Sequence, residues 1–195
     1  MKRRLISLLL LAALLLTGCG QNSSVPFEFR IHSEAALEAL RSAATELTDE
    51  EFDTWRKNRD PQELSGSPVT RTLALRALSL LDSTGYPVPE PGACESISFA
   101  FRPMEDTVDL IYRINGIRYR FWISPYQRET LRLWFPALRC DLDGTELRLY
   151  RGSRGLWVGE LYSGGYRIQV TVMDDASREA VDFSPFTWQG GTWKE

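Results

Sequence analysis

Between residues 33 and 85 the apolar positions recur every three or four residues, and from residue 94 onward they recur every second residue. That change of period divides the chain into a helical part and a β part. Ala36, Leu37, Leu40, Ala43, Ala44 and Leu47 fall on one helix face, with Ser33 as N-cap and Glu34 in the first turn. Thr48-Asp49-Glu50-Glu51 has the form of a capping box, opening a second short helix that carries Phe52 and Trp55 and ends at Asp60-Pro61. Ser67-Pro68 opens a third helix with proline at its first position. Its inner face is Leu73, Ala74, Ala77, Leu78 and Leu81, and Gly85 is its C-terminal cap. The run Tyr86-Pro87-Val88-Pro89-Glu90-Pro91-Gly92 cannot continue a helix and reads as a hinge into the second half.

Beyond Cys94, Ile97, Phe99 and Phe101 alternate with small polar or neutral residues. Asn115-Gly116 then separates two alternating runs, the strongest short-range signal for a β-hairpin. Pairing outward from that turn sets Ile114 against Ile117, Tyr112 against Tyr119, Leu110 against Phe121 and Val108 against Ile123, a wholly apolar side. The other side pairs Arg113 with Arg118, Ile111 with Arg120 and Asp109 with Trp122. A slip of one residue would mix the two faces, so the register is specified. Asp143-Gly144 likewise joins Leu138-Cys140-Leu142 to Thr145-Leu147-Leu149, and Gly164-Gly165 joins Trp157-Gly159-Leu161 to Ile168-Val170-Val172. Leu131, Leu133 and Phe135 alternate with Arg132 and Trp134. Asp174 to Val181 reads as one short helix, and Gly190-Gly191 as a last hairpin setting Trp188 against Trp193. The expected fold is α+β: N-terminal helices packed on the apolar face of a twisted antiparallel meander of about seven or eight strands.

The first residues follow neither period. Lys2, Arg3 and Arg4 precede the nearly unbroken aliphatic run Leu5 to Leu16, which Leu16-Thr17-Gly18-Cys19 closes and polar residues Gln21 to Ser24 follow. A membrane-spanning helix needs roughly 20 apolar residues, and this run is too short for one. The segment resembles the signal peptide of bacterial lipoproteins, whose lipobox ends in a cysteine after a small-residue pair. The resemblance covers only these first residues. It implies removal of residues 1–18, a diacylglyceryl group on Cys19, and a mature chain held at the extracytoplasmic side of a cell membrane. The expected organisation is then signal peptide 1–18, lipidated cysteine and tether 19–32 with at most a short edge strand up to Ile31, and one domain over 33–195. Within that domain 33–85 is helical and 94–195 is the meander.

Charge and cysteine content narrow the partners. The formal charge of −3 includes the three cations of the leader, so the mature chain is more acidic still. Nucleic acid is therefore excluded as a partner. With Cys19 lipidated, Cys94 and Cys140 form an even pair in an oxidising compartment. Either they are bridged, closing a long loop worth roughly 4 kcal/mol, or they stay as two buried thiols. The bridge is the expectation.

Motifs for chemistry are scarce. His32 is the only histidine, which removes histidine-based triads and two-histidine zinc sites. Asp141 to Glu146 has too few alternating oxygens for a calcium loop. Glu105-Asp106 and Asp174-Asp175 are acidic pairs at strand ends, read as solvated loop residues, with the carboxylates of a two-carboxylate hydrolase as the alternative. No cofactor or metal is expected. The distinctive group is Arg113, Arg118, Arg120 and Trp122 on one side of the first hairpin, with Arg132 and Trp134 on the next strand. Like charges directly across a strand pair need compensation. Neighbouring acids such as Asp109 and Glu129 would supply it; otherwise the group is a guanidinium–indole face for an anionic or sugar-containing partner. The expected role is a membrane-anchored, non-enzymatic binding or envelope-complex module. The alternatives are a lipid or amphiphile carrier, with an apolar cavity lined by Tyr112, Tyr119, Phe121 and Leu133, and a cell-wall hydrolase.

Overall fold

A computed structural model of the chain describes residues 27–125 and 136–191. Each helix begins where a hydroxyl can satisfy a free backbone N–H. Helix α1 (Glu34–Glu46) is capped by Ser33, which accepts from the Ala36 amide, and it buries Leu37, Leu40, Ala43 and Ala44. Helix α2 (Asp49–Lys57) has both halves of the Thr48/Glu51 capping box and buries Phe52. Helix α3 (Arg71–Thr84) starts at Thr70, three residues later than Ser67-Pro68 foretold. The Ser67 amide donates to the Glu28 carbonyl at 2.7 Å, which ties Ser67 to the sheet edge and leaves the helix to start at the Thr70 cap. Gly85 ends α3 with φ +69°. A Cβ there would lie 2.3 Å from the Trp188 indole nitrogen, so the position demands glycine for conformation and for space alike.

The strands are β1 (Phe29–Ile31), β2 (Leu64–Gly66), β3 (Tyr86–Pro89), β4 (Ser96–Arg102), β5 (Thr107–Ile114), β6 (Ile117–Pro125), β7 (Leu138–Leu142), β8 (Thr145–Arg151), β9 (Trp157–Ser163), β10 (Tyr166–Val172) and β11 (Phe186–Gln189). Nine of them form one antiparallel sheet in the order β2-β1-β4-β5-β6-β10-β9-β8-β7, and β3 pairs with β11 in a separate ribbon. The β5–β6 hairpin has the register read from its Asn-Gly turn, from Ile114 opposite Ile117 to Val108 opposite Ile123. Asn115 and Gly116 carry φ of +51° and +77°, as a tight hairpin turn requires. The registers of β7–β8 and β9–β10 also follow from their turns, with Cys140 opposite Leu147 and Gly159 opposite Val170.

Other expectations are corrected. Residues 29–31 do not belong to a tether: β1 lies inside the sheet, hydrogen-bonded to β2 on one side and β4 on the other. The run from Tyr86 is no hinge, because Tyr86–Pro89 is a buried strand. Its prolines stand two residues apart, so both missing N–H groups fall on the same side of the strand, leaving Tyr86 and Val88 to pair with β11. Nor is the sheet one continuous meander. After β6 the chain resumes at the far edge with β7 and returns through β8 and β9, so that β10 closes on β6. Over 174–181 only a 3-10 turn at Arg178–Ala180 forms. Trp188 pairs across to Pro87; Trp193 and the predicted strand at 131–135 lie outside the described residues.

The architecture is α+β, with three α-helices and the nine-stranded antiparallel sheet among the described residues. The alternate positions that carry Phe99, Leu110, Phe121, Val170 and Leu149 point to one buried face. Helices α1 and α3 cover it over β1 and β5, and residues 173–191 cover it further along. That C-terminal segment is seated by the Trp157 indole N–H donating to the Ala176 carbonyl (2.9 Å) and by the Asp182 amide donating to the Tyr119 hydroxyl (3.2 Å). Phe183 and Phe186 then stand edge-on to Tyr119 and Phe121, and Phe186 also to Tyr112, with ring centroids between 5.2 and 6.3 Å apart. Among the described residues no helix is long and apolar enough to cross a membrane.

Candidate binding face

Alternation in β5 and β6 sends Arg113, Arg118, Arg120 and Trp122 to the face opposite the core, as their register requires. Arg113 and Arg118 are directly opposed there. Each of the three arginines has its own carboxylate. Arg120 is clamped by Asp109 through two hydrogen bonds of 2.7 Å from Nε and a terminal nitrogen. Asp174, just past the end of β10, receives the Arg118 guanidinium at 2.8–3.2 Å and the Arg118 amide at 2.7 Å. Arg113 lies 3.5 Å from Glu95, which also accepts from the Gly116 amide. The Arg120 guanidinium carbon sits 5.7 Å from the centre of the Trp122 ring.

These contacts set the electrostatics. Hydrogen bonding from Arg118 is the leading reason that the Asp174 carboxyl titrates below its ordinary range. The bond to Asp109 raises the Arg120 guanidinium further above an already high value, against the opposing effect of burial. Asp109 is only 9 % exposed, so this bidentate pair belongs to the sheet's own framework. The face is therefore built of neutralised ion pairs around one half-buried indole. It supplies stacking area and planar hydrogen-bonding groups, with its arginine charge already matched. Trp122 Nε1, Thr107 Oγ1 and Ser124 Oγ are buried with no hydrogen-bond partner among the described residues. Arg132 and Trp134, the other two members of the expected group, fall outside the described residues, as does Glu129.

The thiols differ from expectation. Cys94 and Cys140 are free. Cys94 precedes β4 and Cys140 lies in β7, with β5, β6, β10, β9 and β8 between those strands in the sheet, whereas a bridge needs Cα atoms within roughly 7 Å. Burial is the leading cause that raises both thiols above their ordinary value, the reverse of what an activated nucleophile needs. Cys94 lines a half-open cavity of about 420 Å³ with Glu34, Val88, Glu90 and Ile97.

Other chemistry-bearing residues are occupied structurally. The His32 ring nitrogen Nε2 and the Ser65 hydroxyl are 2.8 Å apart, tying β1 to β2. In the Asp143-Gly144 turn, Asp141 accepts from the Gly144 amide (3.0 Å) and Asp143 from the Trp188 amide (3.1 Å). Asp106 is held by Arg76 at 2.7 Å. Asp174 and Asp175 are drawn apart by Arg118 and Arg151. Among the described residues no group of three or more His, Cys, Asp or Glu side chains is placed to hold a metal ion.

The structure thus brings together four of the six residues expected on this face, with the expected acid Asp109 and, in addition, Asp174 and Glu95 as their counter-ions. Asp109 was legible from its place across from Trp122. Asp174 and Glu95 were not, since each reaches the hairpin from a turn outside it and leaves no periodic signal. Comparisons of the chain with family models, with curated proteins and with solved structures find no match.

Proposed function

We propose that this chain is a lipoprotein anchored through Cys19 at the extracytoplasmic face of a cell membrane, and that its body is a non-enzymatic binding or envelope-complex module. The observation that carries the anchor is the basic, aliphatic and Leu16-Thr17-Gly18-Cys19 succession, followed after a short polar stretch by a body whose sheet begins at Phe29. A lipid on Cys19 holds the body at the bilayer without a spanning helix.

The choice of a module over a carrier rests on packing. A carrier keeps an apolar space between its sheet and what covers it. Here Tyr112, Tyr119 and Phe121 are each at most 2 % exposed and are met by Phe183 and Phe186 of the same chain. The hydrolase reading needs juxtaposed carboxylates. Asp106, Asp109, Asp174 and Asp175 are instead each paired with an arginine, and Glu28 with two. The ligand class that the outer face suits best is a glycan or another polar polymer, through the Trp122 indole and the Arg120–Asp109 pair, with an envelope protein as the other partner class.

The experiment has two parts. Mass spectrometry of the chain recovered from its own membranes should give a mature N-terminus at Cys19 carrying a diacylglyceryl mass, lost in Cys19→Ser. Crosslinking in those membranes should then capture a specific partner or glycan through β5 and β6, with capture reduced by Trp122→Ala. An unmodified Cys19 overturns the anchor, and recovery of the chain alone overturns the module.

A further inference from the structure

We propose that the body turns one defined end of its sheet toward the lipid surface: the end made by the β4–β5 turn at 103–106 and the β9–β10 turn at Gly164-Gly165. The inference rests on the lipid anchor at Cys19 and specifies which surface of the body the membrane meets.

The first argument is where the chain joins the fold. Glu28 is fixed at one corner of the sheet: its amide donates to the Ser67 hydroxyl (3.3 Å) and its carbonyl accepts from the Ser67 amide (2.7 Å). Its carboxylate bonds Arg30 (2.7 Å) and Arg102. Phe27 packs against the core beside it. Phe29 pairs with Phe101, so the direction of β1 sets Glu28 next to Arg102 and Phe27 next to the 103–106 turn. Only residues 20–26 separate Phe27 from Cys19. Such a stretch reaches at most roughly 28 Å when fully extended. Strands β4 and β5 run away from this corner for seven and eight residues to the Asn115-Gly116 turn. At 3.3 Å per residue that turn stands roughly 25 Å farther from the attachment point.

The second argument is independent of the tether. Among the described residues the large apolar side chains left exposed are Met104 (67 %) and Tyr162 (39 %). Met104 is in the β4–β5 turn, beside Phe27. Tyr162 pairs with Arg167, which pairs in turn with Ser124 of β6. Ser124 follows Ile123, which faces Val108, and Thr107 faces Arg102, so Tyr162 lies at the same end of the sheet as Met104. A flexible thioether and a phenol are side chains suited to the boundary between headgroups and acyl chains. Two of the nearby carboxylates carry cations, though exposed Glu105 carries none among the described residues: Asp106 meets Arg76 at 2.7 Å, and Glu28 meets Arg30 and Arg102. Their repulsion from an anionic leaflet is reduced accordingly. Two exposed side chains are too little to hold a protein at a bilayer alone, so they orient a body that the acyl chains retain.

The test uses the mature full chain in vesicles of phosphatidylcholine with a minority of phosphatidylglycerol and a diazirine-bearing phospholipid. One preparation is the natively processed chain. In the other, Cys94→Ser and Cys140→Ser leave Cys19 alone to be coupled to a maleimide phospholipid. Photolysis and peptide mapping should give severalfold more lipid adducts at Met104 and Tyr162 than at the Asn115-Gly116 turn in both. Equal or reversed yields in the coupled chain overturn the orientation. An unlipidated native chain beside a correctly oriented coupled chain overturns the anchor and leaves the orientation standing. The double variant Met104→Glu, Tyr162→Glu, still vesicle-bound when coupled, should lose most of these adducts; unchanged yields would overturn the part assigned to the two side chains.

Discussion

Single side chains on the two faces of β5 have opposite tasks. Tyr112 is fully buried, and its hydroxyl donates to the Pro87 carbonyl at 2.5 Å. Burial pushes the phenol well above its ordinary titration range, so it remains a donor at neutral pH. Tyr112→Phe leaves that carbonyl without its partner and should cost about 1–2 kcal/mol, measured by urea unfolding at unchanged m-value. The inward role of Tyr112 was readable from alternation alone. Its hydroxyl partner was not, because Pro87 lies in a proline-rich run whose composition reads as a break. On the outer face, the register of Arg113 against Arg118 was legible and their counter-ions were not. A residue's strand neighbours follow from period and turn, whereas contacts from loops depend on where the chain goes next.

At the scale of elements, the segment from 173 to 191 matters most for what the sheet can do. It was read as a short helix and a hairpin, yet it forms a 3-10 turn at Arg178–Ala180 and the strand β11, with Phe183 and Phe186 spaced to drop into the aromatic row beneath. Phe186 is 2 % exposed, and Phe186→Ala should cost roughly 3–5 kcal/mol. The same variant should acquire binding of a hydrophobic dye that the parent lacks, read by fluorescence in the native baseline. The Asp174–Arg118 clamp pins the start of this segment. The carboxyl titrates lower folded than free, so the clamp's contribution is complete above the ordinary carboxylate range and is lost as pH falls from there through the lowered folded value. Asp174 is 34 % exposed, so Asp174→Asn should lose no more than about 1 kcal/mol at neutral pH. That difference should shrink steadily as pH falls below the ordinary carboxylate range, as paired urea titrations would record.

For the whole molecule, the helical and β halves, the three hairpins and the side of the sheet that faces the core all follow from period and turn residues. What did not follow was the order of strands. Sequence-adjacent pairing is local and leaves a signature in each turn; the joining of β10 to β6 has no turn between its partners. The expectation of a disulfide failed on the same point, since the distance between Cys94 and Cys140 is set by that order. The mature chain, unfolded without reductant, should therefore titrate two thiols besides any at position 19, and reductant should leave its melting temperature unchanged.

The junction of β6 with β10 also governs how the protein reaches its native state. Hairpins β5–β6, β7–β8 and β9–β10 each close a small loop, so they can form early and at little entropic cost. Phe121 meets Val170 and Ile123 meets Ile168 only after the two halves diffuse together over a long stretch of backbone. That encounter sets the pace of assembly. In stopped-flow refolding, Val170→Ala should slow the main phase, whereas Leu147→Ala within the β7–β8 ladder should chiefly quicken unfolding.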